Sequence, residues 1–279
     1  MRCYKKNLFY IHALIINKYA KACYTEVMWI LILWPIAASI LSFIFQANML
    51  FSTLLFFGVP SIYLSIRNHR SVKKALLFSA ALGLTLSIVT DYVMTKTGSW
   101  NFPNSVFPRL FGGYVTVEQT IWILFFLYFV VIFYETFLEK DSNREVASPN
   151  LKYLFLITSA IFSVFIFFYL WRPEFLSIDY FYLKSGIVLT VIPLALVLLK
   201  FPRLYKKFAI AAAYFFFFSF IYELTGLSLG HWEFTGARQY LGMMEILGLR
   251  FPLEEFFFWI SSGAMGILAY YEFFDDDKK

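Results

Sequence analysis

Residues 117–138 read VEQTIWILFFLYFVVIFYETFL, and this stretch decides the fold. It is an apolar run with Glu118-Gln119 at one end and Tyr134-Glu135 at the other. As a helix it is long enough to span ~30 Å of hydrocarbon. Comparable runs lie near 27–45, 49–66, 75–94, 151–170, 180–199, 208–227 and 251–274. Strands of a membrane barrel are about half that length and alternate in polarity, and these runs do neither. The expectation is an all-α integral membrane protein of about eight transmembrane helices. Composition agrees: the chain is 60% hydrophobic and only 15% charged, with a mean hydropathy of +0.67. A water-soluble domain carries roughly a quarter charged residues, so this one has too little polar surface for a soluble globule.

The basic residues set the orientation. Segments 1–26, 67–74, 139–152, 200–207 and 275–279 hold 18 of the 24 Lys and Arg residues. The opposite side holds Lys96, Arg109, Arg172, Lys184, Arg238 and Arg250. By the positive-inside rule both termini are cytoplasmic and the protein is a multi-pass component of the cell membrane. The net charge of +6 is mostly this asymmetry, and it argues against nucleic acid as a partner. Cys3 and Cys23 have no metal-ligand spacing, and His12, His69 and His231 form no ligand cluster, so no metal is expected.

A motif written twice divides the chain. Asp91, Gly98, Trp100 and Phe102 close on Glu118-Gln119; Glu223, Gly230, Trp232 and Phe234 close on Glu254-Glu255. In each copy the acid precedes the Trp by nine residues, the Gly precedes it by two and the Phe follows by two. The basic loops also align, Lys73-Lys74 with Lys206-Lys207, as do the ends Tyr134-Glu135 and Tyr271-Glu272. The organisation expected is a basic N-terminal segment 1–26, a first repeat 27–138, a polar linker 139–150, a second repeat 151–274 and a charged tail 275–279. Four spans per repeat is an even number. Both repeats then cross in the same direction, related by a pseudo-two-fold axis along the membrane normal. The outer loops 95–116 and 228–250 face one another on one side.

Carboxylates close to hydrocarbon carry the chemical signal, because an ionised group there is costly. Asp91 and Glu223 close the third and seventh runs; Glu118, Glu254 and Glu255 open the fourth and eighth. Capping by the helix dipole accounts for a Glu in one first turn, but the same acid–Trp–Glu pattern in both halves points to a site. Glu254 and Glu255 lie about 100° apart around a helix, so one faces a cavity while the other pairs elsewhere or meets interfacial water. A carboxyl in apolar surroundings stays protonated and serves as an acid, and a better solvated one serves as a base. Trp100 and Trp232 fit two roles equally: interface packing, or shielding of a carbocation through the ring face. Dinucleotide fingerprints and phosphate loops are absent from the sequence, so no cofactor is expected.

Pro252-Leu253-Glu254-Glu255 followed by Phe256-Phe257-Phe258-Trp259 resembles the Pro-x-Glu-Glu signature of the lycopene cyclase domain. That domain occurs in the heterodimeric bacterial and archaeal and the fused fungal carotenoid cyclases. The upstream Gly-x-Trp-x-Phe element and the acid before it fit as well, in both halves of residues 27–274. The first half departs from the signature, with Thr116-Val117-Glu118-Gln119 and no Pro or second Glu. The resemblance implies an intramolecular lyase that isomerises a linear carotene end group without redox change. An acid protonates the terminal double bond, the neighbouring alkene closes the ring, and a base removes a proton. It implies Glu254 and Glu118 as the acid–base pair with Glu255 as alternate. Asp91 and Glu223 orient or relay, and Trp100, Trp232, Phe102, Phe234 and Gln119 contact the substrate. The partner is a carotenoid dissolved in the bilayer, with room for self-association or for other carotenoid enzymes. A related carotenoid hydratase remains an alternative, as does a lipid or proton-coupled transporter whose carboxylates form a relay.

Overall fold

The computed structural model describes residues 26–139, 148–236 and 239–274. The expectations for most of the N-terminal segment (Cys3, His12 and Cys23 included), linker residues 140–147, Arg238 and the tail 275–279 lie outside the described residues. The chain is mostly helical, at 75%. Among the described residues seven helices are long and apolar enough to cross a membrane. They are α1 (Glu26–Ile44), α2 (Met49–Arg67), α3 (Val72–Lys96), α4 (Val117–Phe137), α5 (Leu151–Trp171), α6 (Phe181–Lys200) and α7 (Pro202–Ser228). A multi-pass helical membrane protein follows from their number and length.

The eighth apolar run does not form one continuous helix. It opens as a π-helical turn over Glu255–Ser261, breaks at Ser262 (φ −122°, ψ −1°) and resumes as α8 (Gly263–Phe274). The Ser262 hydroxyl donates to the Phe257 carbonyl at 2.6 Å, satisfying an oxygen near the break. Just before it, β1 (Met243–Ile246) and β2 (Leu249–Pro252) pair as an antiparallel hairpin. The fold is therefore not purely helical. Leu247 (φ +55°) and Gly248 (φ +79°) form its two-residue turn, a shape that needs positive φ at both positions.

Two further π-turns interrupt α2 at Leu54–Gly58 and α6 at Ile187–Val191. Each ends two residues before a proline, Pro60 or Pro193. A proline ring clashes with the carbonyl four residues back and supplies no N–H, and the wider turn accommodates both defects.

The centre of the bundle is α4, where Phe126 to Tyr134 are buried without interruption. A helix apolar on all sides belongs inside. Its Phe129 and Phe133 pack on Phe215 and Tyr214 of α7, Phe133 stacking on Tyr214 at 4.6 Å. Helix α5 is the opposite case, with most of its apolar residues exposed, as a lipid-facing helix would be. It packs against α3, while α1 packs against α7 through Tyr214 Oη to Leu31 O at 3.2 Å and Ser39 to Thr225 at 2.8 Å.

At the end of the bundle carrying Glu135 and Glu272, α4 and α8 exchange side chains reciprocally. The Tyr134 hydroxyl donates to Glu272, and the Tyr271 hydroxyl donates to Glu135. Lys74 lies 5.4 Å over the Tyr271 ring and Lys207 lies 5.7 Å over the Tyr134 ring. Lys74 also pairs with Glu135 at 3.1 Å, and Lys207 with Glu139 at 3.0 Å.

Candidate functional site

The repeated motif has a mechanical explanation. Gly98 (φ +74°) and Gly230 (φ +67°) follow the last turns of α3 and α7. Ser99 N donates to Met94 O at 2.8 Å and Gly98 N to Thr95 O at 3.1 Å. His231 N donates to Gly226 O at 2.9 Å and Gly230 N to Leu227 O at 3.1 Å. This pair of bonds with glycine in the left-handed conformation is the Schellman ending of a helix. The chain reverses, and the Trp two residues on lies back along its own helix. Its indole N–H then reaches the acid nine residues earlier: Trp100 to Asp91 at 3.1 Å, Trp232 to Glu223 at 3.0 Å. Close approach is strictest in the second copy, where a Cβ on Gly226 would stand 2.1 Å from the Trp232 ring.

The two motifs meet directly. Asn101 N donates to Glu233 O at 2.8 Å, and Glu233 N donates to Asn101 O at 2.9 Å. The Asn101 side-chain amide adds a bond to Glu233 Oε1 at 2.8 Å. Tyr240 and Thr235 close the junction by donating to the carbonyls of Ser99 and Gly98. This clasp sets Trp100 and Trp232 into the wall of one cavity.

Its walls come from both copies. Trp100, Phe102 and Gln119 contribute from the first, and Trp232, Phe234, Glu223 and Glu255 from the second. Met49, Trp122, Ile123, Tyr182, Tyr222 and Trp259 complete it. Tyr182 packs against Trp100 at 5.8 Å, and Tyr222 against Trp232 at 5.3 Å. Tyr222 is fixed by Thr53 at 2.9 Å and lies parallel to Trp122.

The carboxylates separate into two kinds. Asp91, fully buried, accepts from Thr95 and Trp100 on one oxygen and from Thr116 N (2.7 Å) and Thr116 Oγ1 (3.1 Å) on the other. Four donors saturate it, and it stands behind Trp100 rather than in the cavity wall. Glu118 accepts from Ser105, from Val106 N and from Phe107 N, so it staples the outer loop to the start of α4. Glu254 likewise accepts from Leu241 N at 2.6 Å. Its other oxygen is buried without a partner among the described residues. Neither Glu118 nor Glu254 lines the cavity. Glu223 and Glu255 do, with Gln119, and Glu255 accepts no hydrogen bond among the described residues. Among these residues no three His, Cys, Asp or Glu side chains gather as metal ligands.

Of the sequence-predicted residues, the cavity thus gathers Glu223, Glu255, Gln119, Trp100, Trp232, Phe102 and Phe234, and leaves Asp91, Glu118 and Glu254 in the supporting shell. Tyr182, Tyr222, Trp122 and Trp259 were not anticipated. Helix phase carried a signal for the last two, since Trp122 follows Gln119 by three and Trp259 follows Glu255 by four, spacings that share a face. Tyr182 opens α6, far from either motif in the sequence, and had no such signal.

His231, between Gly230 and Trp232, is buried. Its Nε2–H donates to Ala47 O at 2.7 Å, tying the α7 turn to the α1–α2 loop. Burial pushes its imidazole below the ordinary 6.5, partly opposed by the bond to Ala47. No family model, curated protein or solved structure matches the chain.

Proposed function

We propose that the chain is a membrane carotenoid cyclase of the lycopene type, an enzyme that isomerises a linear carotene end group to a ring. The observation that carries this reading is the pairing of Glu223 and Glu255 in one aromatic-walled cavity. Ring closure needs one proton delivered to the terminal double bond and one removed after the neighbouring alkene has attacked. No atom is gained or lost. Glu255, which accepts no hydrogen bond among the described residues, is assigned as the donor. Glu223, already an acceptor toward the Trp232 indole at 3.0 Å, is assigned as the base. They replace Glu254 and Glu118, which are engaged in holding the outer loops. The indole and phenol rings of Trp100, Trp122, Trp232 and Tyr222 surround the space in which the cation would form, where their faces stabilise positive charge.

The finer architecture belongs to the same proposal. We infer two tandem four-helix repeats, 27–138 and 151–274, about a pseudo-two-fold axis along the membrane normal, with both termini cytoplasmic. Support comes from pairs of equivalent elements: the π-turns before Pro60 and Pro193, the Asn101–Glu233 clasp, and the reciprocal Tyr134–Glu272 and Tyr271–Glu135 bonds. The crossed packing of α1 on α7 and α5 on α3 fits a two-fold as well. Orientation rests on the distribution of Lys and Arg.

Expression of the full chain in a lycopene-accumulating bacterial host, followed by pigment analysis, tests the function. A cyclic carotene is expected. Glu255→Gln and Glu223→Gln abolish it, whereas Glu254→Gln lowers it only as far as the outer loop loosens. Unchanged lycopene beside protein confirmed in the membrane fraction sinks the cyclase reading.

A further inference from the structure

Two short connections at the end of the bundle carrying Glu135 and Glu272 hold cations at the same positions. The first runs Arg67-Asn68-His69-Arg70-Ser71-Val72-Lys73-Lys74, and the second Lys200-Phe201-Pro202-Arg203-Leu204-Tyr205-Lys206-Lys207. Each cation recurs 133 residues later, although every residue between the cations differs. The positive-inside rule needs only a number of Lys and Arg in a loop, not their positions. The innermost pair has a structural use: Lys74 pairs with Glu135 at 3.1 Å and Lys207 with Glu139 at 3.0 Å. Tyr271 and Ser71 also donate to Glu135, and Tyr134 donates to Glu272, so the carboxylates of this junction are engaged. The outermost pair, Arg67 and Lys200, closes α2 and α6, where the helix dipole favours a cation. Arg70, Lys73, Arg203 and Lys206 have neither reason. All four are exposed, and none forms a salt bridge among the described residues. Lys73 and Lys206 stand in opening turns of regular helix, just after Val72 and Tyr205, where the dipole opposes them.

We propose that these four cations form one surface that binds the headgroups of anionic phospholipids in the adjoining leaflet. The two connections lie side by side. Lys74 sits 5.4 Å over the Tyr271 ring, Lys207 sits 5.7 Å over the Tyr134 ring, and those rings are 6.2 Å apart. Both connections are too short to leave the bilayer surface: α2 ends at Arg67 and α3 begins at Val72, while Phe201 alone separates α6 from α7. The cations are therefore held at headgroup depth, within a Debye length of ~8–10 Å from lipid phosphates. Ahead of each connection lies apolar surface of the kind that acyl chains cover. Ile66 and Leu199, again 133 residues apart, are 73% and 79% exposed. A soluble acidic partner would match the charge but not these neighbouring side chains. Clusters of Lys and Arg directly against a span are what attracts anionic lipid. The binding is independent of the chemistry proposed for the cavity.

The test titrates phosphatidylglycerol or phosphatidylcholine into the full chain in neutral detergent micelles and follows the melting midpoint by tryptophan emission. Phosphatidylglycerol is expected to raise the midpoint, phosphatidylcholine much less, and high salt to remove the difference. Each of Arg70→Gln, Lys73→Gln, Arg203→Gln and Lys206→Gln is expected to raise the phosphatidylglycerol needed for half the shift by about fivefold. The variant carrying all four loses the shift and melts as the parent does in phosphatidylcholine. Equal shifts from the two lipids overturn the proposal and leave the cations to topology alone. An equal phosphatidylglycerol shift in the parent and the quadruple variant overturns it by placing the lipid elsewhere. A shift that appears only once residues 275–279 are removed also overturns it, and assigns the surface to the chain's own acidic run Asp275-Asp276-Asp277. The parent decides the matter even if the quadruple variant fails to fold, because a shift that persists in high salt overturns the proposal.

Discussion

His231 shows how one side chain outside the spans couples the site to pH. Its neutral Nε2–H tautomer bonds Ala47 and its Nδ1 is buried without a partner among the described residues. Burial lowers its pKa from the ordinary 6.5. Between that depressed value and 6.5 the unfolded chain binds the proton and the folded chain does not, so stability rises with pH across this window. The contribution is complete above the ordinary 6.5 and is lost as the pH falls through that value toward the depressed one. His231→Gln keeps an N–H for Ala47 and removes the titration. Thermal melting of the purified protein is expected to fall over that range in the parent and to fall less in the variant; parallel curves would assign the acid sensitivity elsewhere. The Glu254-Glu255 pair shows what a sequence leaves open at this scale. The 100° separation of neighbours on a helix already placed only one of Glu254 and Glu255 toward a cavity. Which one depended on where Leu241 N and the outer loop lie, and no local pattern encodes that.

At the scale of elements, the apolar runs were legible because a bilayer fixes the length of what crosses it. Seven helices coincide with them to within a few residues. The broken eighth run was not legible: hydropathy records removal from water, whether into lipid or protein, and a hydrogen-bond slip from i+4 to i+5 leaves that almost unchanged. The hairpin escaped for another reason, since Leu247-Gly248 is not among the favoured Asn-Gly or Asp-Gly turn pairs. The Gly of the repeated motif was legible as a spacing, and only the geometry showed it to be a helix ending. Gly226 is the strictest of these positions. Gly226→Ala sets a methyl group 2.1 Å from Trp232, so the indole must leave Glu223. Overpacking of this kind costs about 1–3 kcal/mol. Lowered melting, shifted tryptophan emission and loss of cyclic carotene are expected together. Full activity with unshifted emission would mean that the Trp232–Glu223 contact is dispensable.

Across the whole molecule, the inferred two-fold makes a quantitative demand at the end of the bundle far from the cavity. Equivalent tyrosines on α4 and α8 each donate to the other helix's glutamate, Tyr134 to Glu272 and Tyr271 to Glu135, and all but Glu135 are fully buried or nearly so. With the Asn101–Glu233 clasp at the opposite end, these bonds would join the inferred repeats at both extremities of the bundle. Tyr134→Phe and Tyr271→Phe each take one donor from a carboxylate, a loss of about 1–3 kcal/mol. The two rings lie 6.2 Å apart, close enough to couple, so the double variant should lose less than the sum of the singles. Unfolding titrations of the three variants in mixed detergent micelles measure all three losses. Equal single losses with sub-additive coupling are expected of a two-fold junction. A large loss for one tyrosine and none for the other would reduce the arrangement to a single structural bond, and the tandem symmetry would then have to rest on the motif end alone.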